Sequence, residues 1–298
     1  MKAPACSVIV PTYNRSELLR HTLESLRLQQ LPRDEFEVFV VDDGSSDNTA
    51  DVADEYRDVL NLRYFFQEDK GFRVARARNT GIEHANGEIC VFIDSGLLLH
   101  SGFLQAHLAS HAASPVPLAV IGYIYGLTAD EEDIDGLAAA IDASDPDSTI
   151  AKMREQRIHL DIREEFYEKY TDDFAGIPAP WIVFWSGNTS VRTDQLRSIG
   201  AFDEAFTTWG AEDTDLGYRL HLAGARFVVN RDASSIHFPH RKSFEENMRS
   251  SHQNCLYIVK KYDDPILGLL LEMPDVDPFN FNDVIAQRGL PPSAADLA

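Results

Sequence analysis

The feature that most constrains the fold is a series of short apolar runs that alternates with helix-like segments. The apolar runs cover residues 7–11, 36–41, 62–66 and 89–93, and apolar residues at helical spacing mark residues 15–30 and 74–85. Strands that are apolar along their whole length and alternate with helices are typical of a mostly parallel sheet. We therefore predict an α/β fold with a mostly parallel central sheet flanked by helices.

Polar residues follow three of these runs at the point where each predicted strand ends. They are residues 12–15, Asp42 with Asp43, and Asp94 with Ser95. In open parallel sheets, ligands bind beyond the carboxyl ends of the strands. We expect these side chains to meet in one binding site.

Charge and composition restrict the partners of the chain. A formal net charge of −21 over 298 residues disfavours nucleic acid and anionic membranes, because both need clustered basic residues. No run approaches the ~20 apolar residues that span a bilayer, and the N-terminus lacks the apolar core of a signal peptide. A cytoplasmic location is expected. The three cysteines form no CxxC pair, and Cys6 and Cys90 are expected in the core.

Basic residues concentrate after Gly71, where Arg73, Arg76 and Arg78 open a predicted helix. A helix N-terminus attracts anions, and guanidinium groups suit a diphosphate. A solvated basic helix is the alternative.

Four segments together resemble family-2 glycosyltransferases with the GT-A fold. They read SVIVPTYNR, VVDDGSSDNT, GFRVARARNTGI and FWSGNTSVRTDQLRSIGAFDEAFTTWGAEDTDLGYRL. The last is similar to the galactosyltransferase-like C-terminal segment of chondroitin-polymerase-type and polypeptide GalNAc transferases. The resemblance covers residues 5–125 and 180–245. It implies an inverting hexosyltransferase that moves a sugar from a UDP-sugar to an acceptor hydroxyl.

The resemblance also implies a donor site at the strand ends. Asp43 would accept a hydrogen bond from the uracil N3–H, a role for which a strand-end carboxylate is suited; a turn-forming Asp is the alternative. The other implied donor-site residues are Pro11, Tyr13 and Arg15 around the nucleoside, and Arg73, Arg78, Asn79, Asp94 and Ser95.

The metal motif departs from the family pattern. Relatives carry Asp-x-Asp after the fourth strand, where the second Asp binds Mn²⁺ or Mg²⁺, whereas this chain has Asp94-Ser95-Gly96. Hard cations prefer several oxygen ligands, so the loss of one carboxylate weakens the case for a metal. By resemblance, Asp94 and His237 would bind the cation, with His240 as a nearby substitute.

The segment WGAEDTDLGYRL holds the implied catalytic group. In a single displacement the acceptor hydroxyl loses its proton as it attacks, so one carboxylate must act as base. By resemblance Asp213 is that base and Glu212 binds acceptor hydroxyls or orients the site, while Asp215 is a surface or capping residue. Trp209 is either a platform for the acceptor sugar or a core residue. An acidic first helical turn, which the helix dipole favours, is the alternative for the whole motif.

We divide the chain into four parts. Residues 1–127 form the nucleotide-sugar half, 128–180 an acidic, solvated helical insertion that could act as an acceptor lid, 181–273 the acceptor and catalytic half, and 274–298 a C-terminal tail without clear periodicity. A small-molecule or oligosaccharide acceptor is expected. The competing hypotheses are a nucleotidyltransferase, which needs a basic Gly-rich loop after the first strand, and a catalytically inactive member that binds carbohydrate or nucleotide.

Overall fold

The computed structural model describes residues 3–127, 134–240 and 244–291, and within these ranges eight strands form one sheet. The strands are β1 (Cys6–Thr12), β2 (Phe36–Asp42), β3 (Leu62–Phe66), β4 (Ile89–Ile93), β5 (Leu97–Leu99), β6 (Leu118–Tyr125), β7 (Asn188–Arg192) and β8 (Arg226–His237). Their order across the sheet is β3-β2-β1-β4-β7-β6-β8-β5. The pairs β3–β2, β2–β1, β1–β4 and β6–β8 are parallel, whereas β7 is antiparallel to both neighbours and β5 is antiparallel to β8. The predicted α/β class with a mostly parallel sheet is confirmed.

Eleven α-helices of the described ranges surround this sheet. They are α1 (Ser16–Arg27), α2 (Thr49–Glu55), α3 (Val74–His84), α4 (Phe103–Ala113), α5 (Ile134–Ala140), α6 (Pro146–Gln156), α7 (Glu164–Tyr170), α8 (Thr193–Ser198), α9 (Glu212–Leu222), α10 (Phe244–Lys261) and α11 (Phe281–Arg288). Three 3₁₀ segments, Arg33–Glu35, Pro180–Val183 and Pro265–Leu271, complete the helical structure. None of the helices in the described ranges is long and apolar enough to cross a membrane.

The four strands predicted from apolar runs are confirmed as β1–β4, and each run is apolar because the sheet is covered on both faces. Successive side chains of β1 enter different cores: Val8 and Val10 pack in the core that holds α1, and Ile9 packs in the core of the opposite face. The thiols of Cys6 and Cys90 are buried as predicted, and Cys255 is buried as well.

Other parts of the sheet differ from the prediction. Strands β5 and β6 were not predicted, and neither was β7, which begins with the polar residues Asn188 and Thr189. Strand β7 has a polar sequence and therefore no apolar run that would predict a strand. Its buried polar side chains form hydrogen bonds with other elements. Asn188, for example, donates through its amide nitrogen to the carbonyl oxygen of Ala233 (3.0 Å) and accepts through Oδ1 from His107 Nε2 (2.9 Å).

The expectation of a solvated insertion is wrong for the described part of residues 128–180. Ile150, Met153 and Phe166 belong to the main core, and the fully buried ion pair of Asp161 and Arg163 joins this segment to the sheet. Asp161 accepts from the backbone N–H of Ile124 (2.8 Å) in β6. Residues 128–133 lie outside the described ranges, as do the side chains of 134 and 135, so the predicted acidic cluster at 130–135 is not described.

The C-terminal tail is more ordered than the sequence predicted. Phe281 and Ile285, four residues apart, lie on one face of α11 and are both buried. Phe281 packs edge-to-face against Trp181, with ring centroids 5.7 Å apart. Residues 274–291 therefore form part of the core, and residues 292–298 lie outside the described ranges.

Candidate active site

The carboxyl ends of β1 and β2 are joined by a set of hydrogen bonds that shapes one wall of the site. The backbone N–H of Asn14 donates to Ser45 Oγ (2.7 Å), and Asn14 Oδ1 accepts from the N–H of Ser46 (2.8 Å). Asp47 accepts from the N–H of Ser16 (3.0 Å) at the start of α1. The predicted strand-end residues 12–15 therefore lie beside the segment that begins with Asp42 and Asp43, as expected for parallel neighbours.

Asp43 lies buried within this wall. Its carboxylate accepts from Gln67 Nε2 (2.5 Å) and from the backbone N–H of Arg73 (2.6 Å), and the Arg73 guanidinium lies 3.4 Å away. Two predicted donor-site residues, Asp43 and Arg73, are thus in contact. Gln67, at the end of β3, was not predicted, although the strand-end rule that selected Asp43 also applies to it. Asp42, by contrast, accepts from the N–H groups of Gly44 and Ser45 and forms the turn.

Tyr13 presents an exposed ring at the edge of this wall. Its hydroxyl donates to Asp69 Oδ2 (3.0 Å), and that hydrogen bond raises the pKa of the Tyr13 hydroxyl. The segment carrying Asp69 packs so closely on Gly44 that a Cβ there would lie 2.5 Å from the Asp69 backbone. Pro11 is buried in β1, and Arg15 is exposed just before α1.

Arg78 occupies the centre of the site rather than its solvent edge. Only 4% of Arg78 is exposed, and its guanidinium contacts Glu212 Oε1 (2.8 Å) and Asp94 Oδ1 (3.1 Å). It also lies 5.3 Å from the ring centroid of Phe202. The guanidinium expected to bind the donor is therefore paired with two carboxylates of the chain itself.

Asn79, the second residue of the predicted Arg-Asn pair, joins α3 to the segment after α8. Its amide nitrogen donates to the carbonyl of Phe202 (2.9 Å) and to Glu204 Oε1 (3.0 Å), and its oxygen accepts from the N–H of Phe202 (2.9 Å). These contacts hold the segment that leads towards α9. The structure thus brings Asn79 beside Arg78 but directs its amide to protein groups.

The turn Asp94-Ser95-Gly96 lies between β4 and β5. The Asp94 side chain is 50% exposed, whereas Ser95 is buried. Gly96 has φ +105°, in a region that L side chains rarely adopt, and its N–H donates to Thr22 Oγ1 (2.9 Å). The backbone therefore favours glycine at the position where relatives carry the second Asp.

His237 ends β8 next to this turn, because Leu97 and His237 are paired and the N–H of Phe238 donates to the Gly96 carbonyl (2.9 Å). The rings of His237 and His240 have centroids 5.0 Å apart. Within residues 3–127, 134–240 and 244–291, no group of three or more His, Cys, Asp or Glu side chains could hold a metal ion. The described side chains alone therefore do not fit a complete cation site, although Asp94 offers one exposed carboxylate.

Helix α9 begins with the two predicted catalytic carboxylates. Glu212 is 5% exposed and pairs with Arg78, while Asp213 accepts from the N–H groups of Ser186 (3.4 Å) and Thr214 (2.8 Å). Burial and the neighbouring Glu212 charge raise the pKa of Asp213 to about 7, against the lowering effect of Arg78. A carboxyl with that pKa is suited to accept a proton near neutral pH.

Asp215 corrects the expectation of a surface or capping residue. It is fully buried and accepts from Arg219 Nε (2.8 Å), Lys261 Nζ (2.7 Å) and Tyr262 Oη (2.8 Å). These bonds tie α9 to the end of α10.

Trp209 is 44% exposed, so it is not a core residue. Its carbonyl accepts from Ser250 Oγ (2.9 Å) of α10, a contact that no sequence motif indicated. Trp209 lies three residues before the start of α9.

Comparison with known proteins places these features in a family. The model described as glycosyl transferase family 2 matches residues 7–167, more than half of the chain. A second model, described as the N-terminal domain of galactosyltransferase, matches residues 171–241.

Two curated relatives are similar over most of the chain. Validoxylamine A glucosyltransferase of Streptomyces hygroscopicus subsp. jinggangensis is 37% identical over 259 residues, which cover 87% of this chain and 61% of the relative. Chondroitin synthase of Pasteurella multocida is 30% identical over 280 residues, which cover 90% of this chain and 28% of the synthase. The chain thus spans about three fifths of the length of the first relative.

Two solved structures share the fold. TarS 1-349 of Staphylococcus aureus in complex with UDP-GlcNAc has a TM-score of 0.58 at 20% identity, covering 89% of this chain and 70% of that chain. The mannosyltransferase PcManGT of Pyrobaculum calidifontis, in complex with GDP-Man and Mn²⁺, has a TM-score of 0.59 at 20% identity, covering 100% of this chain and 79% of that chain. At this identity the likeness concerns the fold, and the predicted GT-A class is confirmed.

Proposed function

The chain belongs to glycosyltransferase family 2, and we propose that it transfers a hexosyl group from a UDP-sugar to a hydroxyl of a small-molecule or oligosaccharide acceptor with inversion. The observation that carries the proposal is the junction of Arg78 with Asp94 and Glu212. It brings the end of β4, from the half assigned to the donor, against the first turn of α9, which holds the base. A donor sugar bound at that junction would have a carboxylate on its acceptor side.

Asp213 is the general base of this proposal. In a single displacement, the acceptor oxygen forms a bond to the anomeric carbon while the bond to the UDP oxygen breaks, and the hydroxyl proton moves to the base. Asp213 has a pKa of about 7, so a substantial fraction is ionised near neutral pH and the carboxylate binds the transferred proton readily. The N–H groups of Ser186 and Thr214 orient its oxygens.

Glu212 is proposed to bind an acceptor hydroxyl. One oxygen is held by Arg78, and the other, Oε2, is buried without a hydrogen-bond partner in the described part of the chain. A buried acceptor without a donor is unfavourable, and a substrate hydroxyl could supply that donor after local adjustment.

The donor nucleoside is proposed to lie between Tyr13 and Asp43. The exposed Tyr13 ring offers a face for the base, and each Asp43 oxygen keeps a lone pair beyond its bond to Gln67 or to the Arg73 N–H. Uracil has an imide N–H at N3 that can donate to this carboxylate. Adenine has no imide N–H, and its N1 is an acceptor. Pro11, Arg15 and Ser95 complete the proposed donor site.

Mn²⁺ or Mg²⁺ is proposed only as a ligand shared with the donor, with Asp94 and His237 as the protein groups. When bound, such a cation would neutralise charge on the diphosphate. Mg²⁺ is often held by one or two carboxylates together with substrate phosphates, and Asp94 would supply one such carboxylate. Arg73, whose guanidinium lies 3.4 Å from the Asp43 carboxylate, supplies positive charge at the proposed nucleoside site.

We also propose a role for each part of the chain. Residues 1–127 would bind the donor and 181–273 the acceptor, with the 128–180 segment beside the acceptor. Arg163 of that segment donates to the carbonyl of Val183 (3.2 Å), three residues before Ser186. A change of acceptor choice on substitution of exposed residues in this segment would support a lid role. The expected cytoplasmic location stays a prediction.

The first test is a screen of UDP-glucose, UDP-GlcNAc and UDP-galactose, with validoxylamine A as the first acceptor because of the acceptor named for the relative. Transfer and hydrolysis are measured with Mn²⁺, with Mg²⁺ and with EDTA. If transfer stops in EDTA, the result supports the proposed cation. If transfer persists in EDTA, the reaction does not need the cation and this part of the proposal is wrong. Tight UDP binding without turnover of any UDP-sugar favours the inactive alternative. That alternative is suggested by Gly96, which stands where relatives carry the second Asp of Asp-x-Asp. A nucleotidyltransferase is disfavoured by family membership.

A further inference from the structure

Helix α10 packs along the segment that joins α8 to α9. Tyr257 stacks edge-to-face on Phe206, with centroids 5.3 Å apart, and Lys261 donates to Asp203 (2.7 Å) at one end of the segment. Further along, Ser250 donates to the carbonyl of Trp209. Both family models end before this helix, the first at residue 167 and the second at residue 241.

Asn254 makes four hydrogen-bond contacts with this segment. Its amide nitrogen lies within hydrogen-bond distance of three successive carbonyls, those of Thr208 (3.2 Å), Trp209 (3.3 Å) and Gly210 (2.7 Å). Its amide oxygen accepts from Thr208 Oγ1 (3.1 Å). The side chain is almost fully buried, so water does not replace these bonds at low cost.

The backbone that Asn254 holds is unusual. Gly210 has φ +96° and Ala211 has φ +69°, and α9 begins at the next residue. A left-handed alanine is unfavourable on its own and persists only where its surroundings fix it. Trp209 is 44% exposed, and its carbonyl oxygen lies within hydrogen-bond distance of both Ser250 and Asn254.

We propose that Asn254 is a positioning residue for acceptor binding: it fixes the Thr208–Gly210 carbonyls and thereby orients Trp209 and the first turn of α9 towards the acceptor. This inference rests on the proposed function, in which Trp209 and Glu212 face the acceptor. It assigns a role to α10, which lies outside the family motifs. In the described part of the chain, the Asn254 side chain forms hydrogen bonds with Thr208, Trp209 and Gly210, and none with the ends of β1 and β2. We therefore expect donor binding to be independent of Asn254.

The test compares Asn254→Leu, which keeps the approximate shape and removes the amide, with Gln253→Ala, a change at the exposed neighbour on the same helix. Transfer from UDP-glucose to validoxylamine A is measured with each substrate varied in turn. Loss of several hydrogen bonds to a positioned loop predicts a roughly tenfold rise in the KM for validoxylamine A. The KM for UDP-glucose and its rate of hydrolysis should stay within about twofold of wild type, and Gln253→Ala should match wild type.

A second variant, Ser250→Ala, removes one bond to the Trp209 carbonyl and is expected to give a smaller rise in the same KM. Acrylamide quenching of tryptophan emission gives a readout that needs no acceptor: Asn254→Leu should change the quenching of exposed Trp209, and Gln253→Ala should not.

The proposal is overturned if folded Asn254→Leu keeps the wild-type KM for validoxylamine A. It is equally overturned if donor and acceptor KM rise together with a fall in Tm, since that is a structural role only. Absence of turnover by the wild-type protein in the UDP-sugar screen is a failure of the proposed function. In that case the quenching comparison decides whether Asn254 orients Trp209.

Discussion

Arg78 Nη1 lies 2.8 Å from Glu212 Oε1, although 134 residues separate the two in the chain. Both side chains are buried, and the same guanidinium reaches Asp94 at the end of β4. One arginine thus joins the helix after the proposed donor loop to the helix that carries the proposed base. The site exists only when the two halves of the sheet are assembled.

Replacing Arg78 with Met is expected to destabilise the fold strongly. The substitution leaves Glu212 buried without its partner, and breaking a buried pair in this way costs about 3–5 kcal/mol. The measurement is the free energy of unfolding in urea at pH 7.5. The matched control is Arg76→Met, on the exposed face of the same helix, which should change that free energy by less than about 0.5 kcal/mol. Equal effects of the two substitutions would show that the Arg78–Glu212 pair contributes little.

The sequence predicted those parts of the site that are determined by residues close together in the chain. Apolar runs located β1–β4 and, with them, the positions of Asp43 and Asp94, because a buried strand and its end are local features. The partners of Arg78 could not be found in this way. A cluster of arginines at a helix start favours an anion, and only the folded chain brings Glu212 and Asp94 to that guanidinium.

The sequence also does not predict the burial of polar residues whose hydrogen-bond partners are distant in the chain. Asp215 is acidic and follows two other acidic residues, a pattern of exposed helix starts. It is nevertheless buried and accepts hydrogen bonds from Lys261, at the end of α10, and from the adjacent Tyr262. Strand β7 is polar in sequence because His107 and other groups satisfy its side chains inside the protein. Such compensation is set by tertiary contacts and leaves no periodic signal.

Asp213→Asn is expected to remove most transfer while the fold is retained. The amide keeps the shape of the carboxylate but cannot accept the hydroxyl proton, and loss of a general base typically lowers kcat by roughly 10²- to 10⁴-fold. The kcat for transfer is compared with that of Asp194→Asn, the same substitution at an exposed site on α8. Near-wild-type transfer by Asp213→Asn would falsify the assignment of the base.

The pH dependence of kcat/KM should report the ionisation of Asp213. The carboxyl must lose its proton before it can act as base, and its pKa is about 7, so kcat/KM should rise with pH and level off above pH 7. In Glu212→Gln, one of the charges that raises this pKa is gone and Arg78 still lowers it, so the midpoint should move to lower pH. The profile is measured between pH 5 and pH 9 at low substrate concentration. A midpoint that moves upward or stays fixed contradicts this coupling.

Acid should destabilise the fold through two buried histidines under β7. His107 and His111 both contact Ser190 Oγ at 2.9 Å, and burial lowers their pKa to about 4 and about 3. In the unfolded chain a histidine has a pKa of about 6.5, so below that pH the unfolded state binds more protons and stability falls as pH falls. Each histidine should cost about 1.4 kcal/mol per pH unit until its folded pKa is reached.

The check is the free energy of unfolding in urea at pH 7.5, 6.0 and 5.0 for wild type, His111→Asn and the exposed control His252→Asn. Many carboxylates also titrate in this range, so the informative quantity is the difference between each variant and wild type at each pH. His111→Asn removes one of the two groups and should reduce the loss of stability between pH 6.0 and pH 5.0 by about 1.4 kcal/mol. His252→Asn should leave that loss unchanged. Equal slopes for wild type and His111→Asn would show that His111 does not remain neutral in the folded protein.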